Sequence, residues 1–318
     1  MNTVQRLKLA IMIISALAFS GLGFLAWTNL PELIQHLNQV CQVNLTPVLK
    51  DPTHRIGLGA AFVLILLGGA ATSSAMASLL KAHRKMKILK TSVQTNLPDD
   101  VKSLARSCGI RAADIRLIKS SDPFVYCHGI SRTRIFISTG MLGRLNAKEL
   151  EAVLIHEAHH YRHHHPSSVF MGKLLARTFF FLPIIKELSR LMEVQIEINA
   201  DRAVILAQRT TKYLRQALGK SLLADAFPSA VAFHTTPLET RVALIVSPRT
   251  APLPGVSKSS LVYSLISVVM ILVPLVSASP ASAHPPNGNG ICVKDACQVR
   301  CDSPEPETEP VSFTPAFR

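Results

Sequence analysis

The chain has 318 residues, enough for one catalytic domain and several membrane spans. Hydrophobic residues make up 48% and charged residues only 17%, a balance that disfavours an ordinary soluble domain and suits a chain partly solvated by lipid. The net charge of +14 admits nucleic acid, an anionic membrane surface or acidic substrates as partners. The basic residues cluster beside hydrophobic stretches, so membrane topology accounts for them and no nucleic-acid partner is expected.

Leu9–Trp27 carries no charged residue. At a rise of about 1.5 Å per residue it is long enough to cross a bilayer core. No small-x-small cleavage pattern follows before Trp27, so it reads as a retained helix rather than a signal peptide. Ile56–Leu80 is a second uncharged stretch, rich in Gly and Ala, and small residues let helices approach closely in lipid. Leu261–Ser279 is a third, followed by Ala281-Ser282-Ala283, which resembles a cleavage site. A buried core helix is the competing reading of each stretch. Lys81, Arg84, Lys85, Lys87 and Lys90 follow the second stretch and should be retained in the cytoplasm. The expected organisation is two transmembrane helices in 1–80 with an outside loop at 28–55, then a cytoplasmic-face domain at 81–258. A third transmembrane helix at 259–281 and a short extracytoplasmic Cys-containing tail at 282–318 complete it.

Within the cytoplasmic domain, Asp99–Ser107 reads as a helix. Ile115–Lys119, Phe124–Cys127 and Arg134–Ser138 are short and rich in β-branched or aromatic residues, as strands are. Gly129 between the last two predicts a hairpin. A helix is expected from Ala147, with Asn146 as N-cap and Glu149 three residues later in capping-box spacing. That helix runs into His156-Glu157-Ala158-His159-His160, which contains H-E-x-x-H. On a helix, positions i and i+4 share one face, so His156 and His160 can hold one zinc ion, with Glu157 beside them as catalytic base.

Two histidines leave tetrahedral zinc short of a protein ligand. Glu197 on a second helix is the candidate third ligand, and Asp201, one turn on, can accept a hydrogen bond from a ligating histidine. Val169–Ile185 between the two helices is apolar, but a full crossing there would put Glu197 on the opposite side of the membrane from His160. Lys173 and Arg177 would also be costly at mid-bilayer. It is therefore expected to be a helix lying against the membrane or the other spans. His163, His164 and His165 read as a basic, solvated helix end, with a second metal site as the alternative. Cys108 and Cys127 are expected inside and reduced. Cys41, Cys292, Cys297 and Cys301 are expected outside, where four cysteines allow three pairings, unpaired thiols or a metal-binding tail.

These motifs together resemble the membrane gluzincin peptidases, above all the BlaR/MecR-type peptidases of beta-lactam sensor proteins. The HtpX-like and CAAX-protease group is a weaker match. The matching stretches are Pro123–Gly129, Arg134–Gly140, Glu149–His160 and Glu197–Ala203. The resemblance implies a multi-pass α-helical membrane protein with an α+β gluzincin (zincin-like) metallopeptidase domain. It implies that His156, His160 and Glu197 bind zinc, Glu157 is the base and Asp201 supports a ligand. It also implies that a strand near Phe124–Cys127 or Arg134–Ser138 forms the edge on which an extended substrate pairs. BlaR/MecR-type sensors end in a large extracellular penicillin-binding domain. Only a short tail stands here, so beta-lactam sensing is not carried over. HtpX-like enzymes place a His shortly before Pro-Leu-Glu-x-Arg. Here Pro237–Arg241 is present, Thr235 takes the His position, and His234, one place earlier, is the candidate transition-state stabiliser.

The expected function is a membrane-bound zinc metalloendopeptidase acting on a cytoplasmic or membrane-associated protein, as a regulatory protease in signalling. A non-catalytic membrane sensor or scaffold that retains the metal motif is the competing class. The expected partners are a protein or peptide substrate and the lipid bilayer. Nothing in the sequence speaks to oligomeric state.

Overall fold

A computed structural model describes residues 2–42, 62, 65–81, 84, 93–94, 97–222, 255–277, 291–294 and 297–300. The chain divides into two compact units. One comprises Met1–Gly23 and Leu66–Val269, the other Phe24–Ile65 and Met270–Arg318.

The first unit is built around a four-stranded mixed sheet. Its strands are β1 (Val93–Gln94), β2 (Ile115–Ile118), β3 (Val125–His128) and β4 (Arg134–Ser138). Their order is β1-β2-β4-β3. β1 runs antiparallel to β2, β2 parallel to β4, and β3 antiparallel to β4 with Tyr126 opposite Phe136. The expected hairpin is therefore present, and it makes β3 the edge strand while β4 lies inside the sheet. Gly129 has φ +127°, and a Cβ there would overlap the Arg132 carbonyl, so this turn requires glycine.

Side chains alternate across β4 with the strand period of two. Ile135 and Ile137 enter the main core, while Phe136 turns to the other face and packs with Ile118, Phe124 and Tyr126. The main core also takes Val101 and Ala105 of α3 (Asp99–Ser107) and Met141 of α4 (Thr139–Arg144). Its largest lid is α5 (Ala147–Arg162), whose Leu150, Leu154 and Ala158 recur at four-residue spacing over Ile135 and Ile137. The predicted capping box starts α5: Glu149 N donates to Asn146 Oδ1 and Asn146 N donates to Glu149 Oε2, each at 2.9 Å. Glu149 is buried and also receives Lys220 Nζ at 2.6 Å, from α8 (Lys212–Leu222).

The far end of α5 is tied by Asp114, whose side chain is 0% exposed. Tyr161 Oη donates to Asp114 Oδ2 at 2.7 Å. Arg111 Nη2 reaches the same oxygen at 2.8 Å, and Arg132 Nη2 reaches Oδ1 at 3.1 Å. Burial alone would push this carboxyl's pKa up. The Tyr161 hydroxyl, Arg111 and Arg132 outweigh burial and hold it below the ordinary carboxylate value.

The segment 169–185 is not one helix. α6 (His165–Thr178) ends before Phe179, and α7 (Pro183–Gln208) begins at Pro183. Proline restricts the residue before it and lacks an N–H, so it breaks the run and serves as the first residue of the next helix. Gly172 lets α6 lie against α7, because a Cβ there would crowd Ser189 and Met192. α7 packs on α1 (Thr3–Gln42) through Ile185, Met192 and Ile196 against Val4 and Ile11, and Phe179 together with Val169 and Leu175 of α6 joins the same cluster. The apolar segment thus lies against the first expected span, as its Lys173 and Arg177 suggested.

Thr3–Phe24 is long and apolar enough to cross a membrane, and only 11% of its apolar window is buried. Ile65–Lys81 (α2) and Lys258–Val273 of α9 (Lys258–Ser277) are shorter apolar helices. Leu17, Phe19, Leu66 and Leu265 on these helices are exposed. In the second unit the helix continues through Gln42, so the first part of the expected outside loop at 28–55 is helical. Leu30, Glu32, Leu33, Gln35 and Leu37 favour helix, and together they carry it past Pro31. The tail contributes a hairpin, β5 (Ile291–Lys294) with β6 (Cys297–Arg300). The outside cysteine pairings and residues 281–283 lie outside what the structure describes.

Asp114→Ala should cost about 1–3 kcal/mol in denaturant unfolding, because it takes a buried acceptor away from the Tyr161 hydroxyl and from two largely exposed guanidiniums. The contribution of Asp114 has a defined pH dependence. Its folded pKa is depressed, so the stability is present above an unfolded value of about 4 and is lost as pH falls through the folded value. The wild-type and Asp114→Ala unfolding curves should therefore converge in acid.

Candidate metal centre

His156 and His160 stand one turn apart on the buried face of α5, and Glu197 faces them from α7. Val204 of α7 packs on Ala152 of α5, where the small alanine brings the two helices close. The expected three residues do come together. His156 Nε2 lies 3.0 Å from His160 Nε2. Glu197 Oε2 is 3.4 Å from His156 Nε2, and Glu197 Oε1 is 3.6 Å from His160 Nε2. One donor atom from each of the three lies within 4.8 Å of the others, and all three residues are buried.

The donor set fits a metal ion. A tetrahedron with ligands about 2.0–2.2 Å from its centre has edges of about 3.3–3.6 Å, close to the separations seen here. The chemistry agrees. Two imidazole Nε2 atoms facing one another can share only one proton between them, and the third donor is a carboxylate away from solvent. A cation at their centre satisfies all three at once. Among the described residues this is the one such group of His, Cys, Asp or Glu.

Asp201, one turn beyond Glu197, places Oδ1 3.0 Å from His156 Nδ1, the ring nitrogen turned away from the centre. Glu157 is buried on the sheet-facing side of α5, three residues after Leu154. Its carboxylate is felt at β3. Burial pushes the Cys127 thiol well above its usual pKa, and the charge of Glu157 pushes it further. Glu157 is thus buried on the same helical turn as His156, on the side of α5 that faces the sheet. His234 lies outside the described residues.

The histidines after the motif depart from the expected solvated end. His163 and His164 are exposed, but His165 is buried, with Nδ1 3.1 Å from His160 Nδ1. The reason is a tight turn. His164 adopts the left-handed conformation at φ 50°, and its Nδ1 lies 3.1 Å from Thr133 Oγ1. The rings of His159, His163 and His165 gather beside it. Burial and the neighbouring imidazoles lower the pKa of His159 to about 4 and that of His165 to about 3, so both are neutral near pH 7. The run of three histidines was the only sign of this in the sequence.

A family model described as BlaR1 peptidase M56 matches residues 10–245. The chain belongs to the BlaR1 peptidase M56 family. Among curated relatives, the protease HtpX of Thioalkalivibrio sulfidiphilus (strain HL-EbGR7) is 31% identical over 106 residues, 33% of this chain and 34% of that protein. A protease HtpX homolog of Chlorobium limicola (strain DSM 245 / NBRC 103803 / 6330) is 28% identical over 107 residues, 33% of this chain and 35% of that protein. Another, from Listeria monocytogenes serotype 4b (strain CLIP80459), is 28% identical over 109 residues, 34% of each chain. The chain spans about a third of the length of the curated relatives it matches. The M56 match covers the first two apolar stretches, the sheet and all three converging residues, so it joins the centre to the helices that carry it.

An ion held here stabilises the folded chain by mass action. Zinc added to metal-stripped protein should raise its melting temperature, and a chelator should reverse the rise. Glu197→Ala should abolish both responses in a thermal melt, whereas an unchanged zinc response in that variant would assign the third donor elsewhere.

Proposed function

We propose that this protein is a membrane-bound zinc metalloendopeptidase, with its catalytic domain at the cytoplasmic face. Its substrate is a cytoplasmic or membrane-associated protein. The observation that carries the reading is the buried convergence of His156, His160 and Glu197, with Glu157 buried on the same H-E-x-x-H turn. The family supports it, because the model that matches is that of a peptidase and the matched relatives are named proteases.

In this reading His156 and His160 through Nε2 and Glu197 through its carboxylate hold the ion. Zinc held there would supply a Lewis acid for the scissile carbonyl and would make an attacking water more acidic. Glu157 takes the proton from that water and passes it to the leaving amine. Asp201 holds the His156 ring by accepting from Nδ1. The outer edge of β3 pairs with the substrate main chain and keeps it extended beside Glu157. His234 of the segment 223–250 is proposed to stabilise the developing oxyanion.

The bilayer placement rests on the exposed apolar side chains of α1, α2 and α9, a surface far more apolar than water tolerates over such lengths. A multi-pass arrangement with the 81–258 domain inside follows from Lys81, Arg84, Lys85, Lys87 and Lys90 after the second stretch. A regulatory role in signalling is the setting we propose, in keeping with the BlaR1 name of the family.

Glu157→Gln is isosteric and removes only the proton acceptor. Purified in detergent, it should keep about one zinc per chain, while cleavage of an unfolded protein substrate falls about 10²–10⁴-fold. Turnover equal to wild type in that variant would defeat the mechanism.

A further inference from the structure

Each histidine of the centre has two ring nitrogens, and the inward pair is accounted for by the centre itself. The outward pair is not treated alike. His156 Nδ1 meets a carboxylate, Asp201 Oδ1, at 3.0 Å. His160 Nδ1 meets another imidazole, His165 Nδ1, at 3.1 Å, and both rings are buried.

We infer that His165 is the positioning residue for His160, accepting its Nδ1 proton and fixing which ring nitrogen faces the metal. This rests on the proposed zinc site. When a neutral imidazole gives its Nε2 lone pair to a metal, its one proton sits on Nδ1. That proton needs an acceptor in a buried place. The nitrogen in reach is His165 Nδ1, which therefore carries its lone pair there and its own proton on Nε2. This assignment makes His165 a support rather than a ligand, because its nearest nitrogen is already committed.

The backbone is bent to make this contact. In a continuous helix, residue i+5 lies about 140° around the axis from residue i and cannot touch it. α5 ends at Arg162, and His164 takes the left-handed conformation, which a non-glycine residue adopts at a cost. The turn is held by Thr133 Oγ1 at His164 Nδ1, and by Ser167 N and Ser168 N donating to the His164 carbonyl at 3.2 and 3.5 Å. Its product is His165, the first residue of α6, folded back beside His160. The two supports come from different helices and differ in charge. A carboxylate on α7 backs His156, and a neutral ring on α6 backs His160.

The test is a competitive zinc titration against a chelating indicator, on the full chain in detergent. Wild type, His165→Phe and His165→Gln are compared. His165→Phe keeps an aromatic ring and removes the acceptor, and should weaken zinc binding about 10–100-fold. His165→Gln restores a carbonyl acceptor and should recover most of that loss, which a packing role alone would not give. Unchanged affinity in folded His165→Phe overturns the inference and leaves the zinc site standing. Two zinc ions in wild type that fall to one in both variants would make His165 a ligand, and would also overturn it. Wild type that binds no zinc overturns the peptidase reading and this inference with it. If His165→Phe does not fold, histidine ¹⁵N spectra of zinc-loaded wild type decide. A proton on His160 Nδ1 and on His165 Nε2 supports the assignment, and a proton on His160 Nε2 defeats it.

Discussion

Bringing two imidazoles and a carboxylate to one buried point is the constraint on which the rest of the structure depends. Such groups are expensive away from water unless each finds a partner, and here the partners come from segments far apart in the chain. α5 supplies His156 and His160, and α7 supplies Glu197 and Asp201. The helices must therefore hold their relative rotation to a fraction of an ångström at the donor atoms. The small Ala152 against Val204 sets their separation. α5 is then anchored at both ends: Asn146, Glu149 and Lys220 hold its start, and Asp114 with Tyr161 holds its finish, one residue past His160. Each anchor is a buried carboxylate, Glu149 or Asp114, held by donors from other segments. Such contacts are poor sources of net stability but costly to break, which suits a part that must not rotate.

The sheet completes the geometry from the opposite side. Ile135 and Ile137 seat the apolar face of α5, so Glu157 on that side is carried toward β3. β3 is the outer strand because β4 takes the interior place, paired with both β2 and β3. Among the described residues, β3 is thus an edge strand of the sheet that the buried face of α5 covers. The same packing joins the centre to the apolar helices. α6 and α7 rest on Val4 and Ile11 of α1, so a helix fit for lipid and the helix that carries Glu197 share one hydrophobic cluster.

Much of this was legible in the residues. The hairpin, the capping box at Asn146 and the start of α5 at Ala147 appeared where local chemistry places them, because turn and cap signals act over three or four residues. The pairing of His156 with His160 follows from helical period alone. Glu197 and Asp201 could be named because a zinc site with two histidines needs a third donor, and the family resemblance pointed to the same two residues. Less was legible where distant segments meet. The segment 169–185 looked like one apolar helix, since Pro183 as a helix start and Pro183 as a kink read the same in one dimension. The Asp114 hub gathers Arg111, Arg132 and Tyr161 from three elements, and none of them marks the others in sequence.

The clearest division falls at the three histidines after the motif. By itself the sequence determined that a helix would present His156, Glu157 and His160 together, because a period of 3.6 residues settles which side chains share a face. It also determined that long uncharged stretches would flank a mixed α/β domain. Only the tertiary structure decided that His165 would be buried behind His160 while His163 and His164 stay exposed. That outcome depends on one left-handed residue, His164, whose conformation is held by Thr133 from the neighbouring hairpin. A turn stabilised by a contact across 31 positions leaves no periodic trace, so the physical reason for the difference is the range of the interaction.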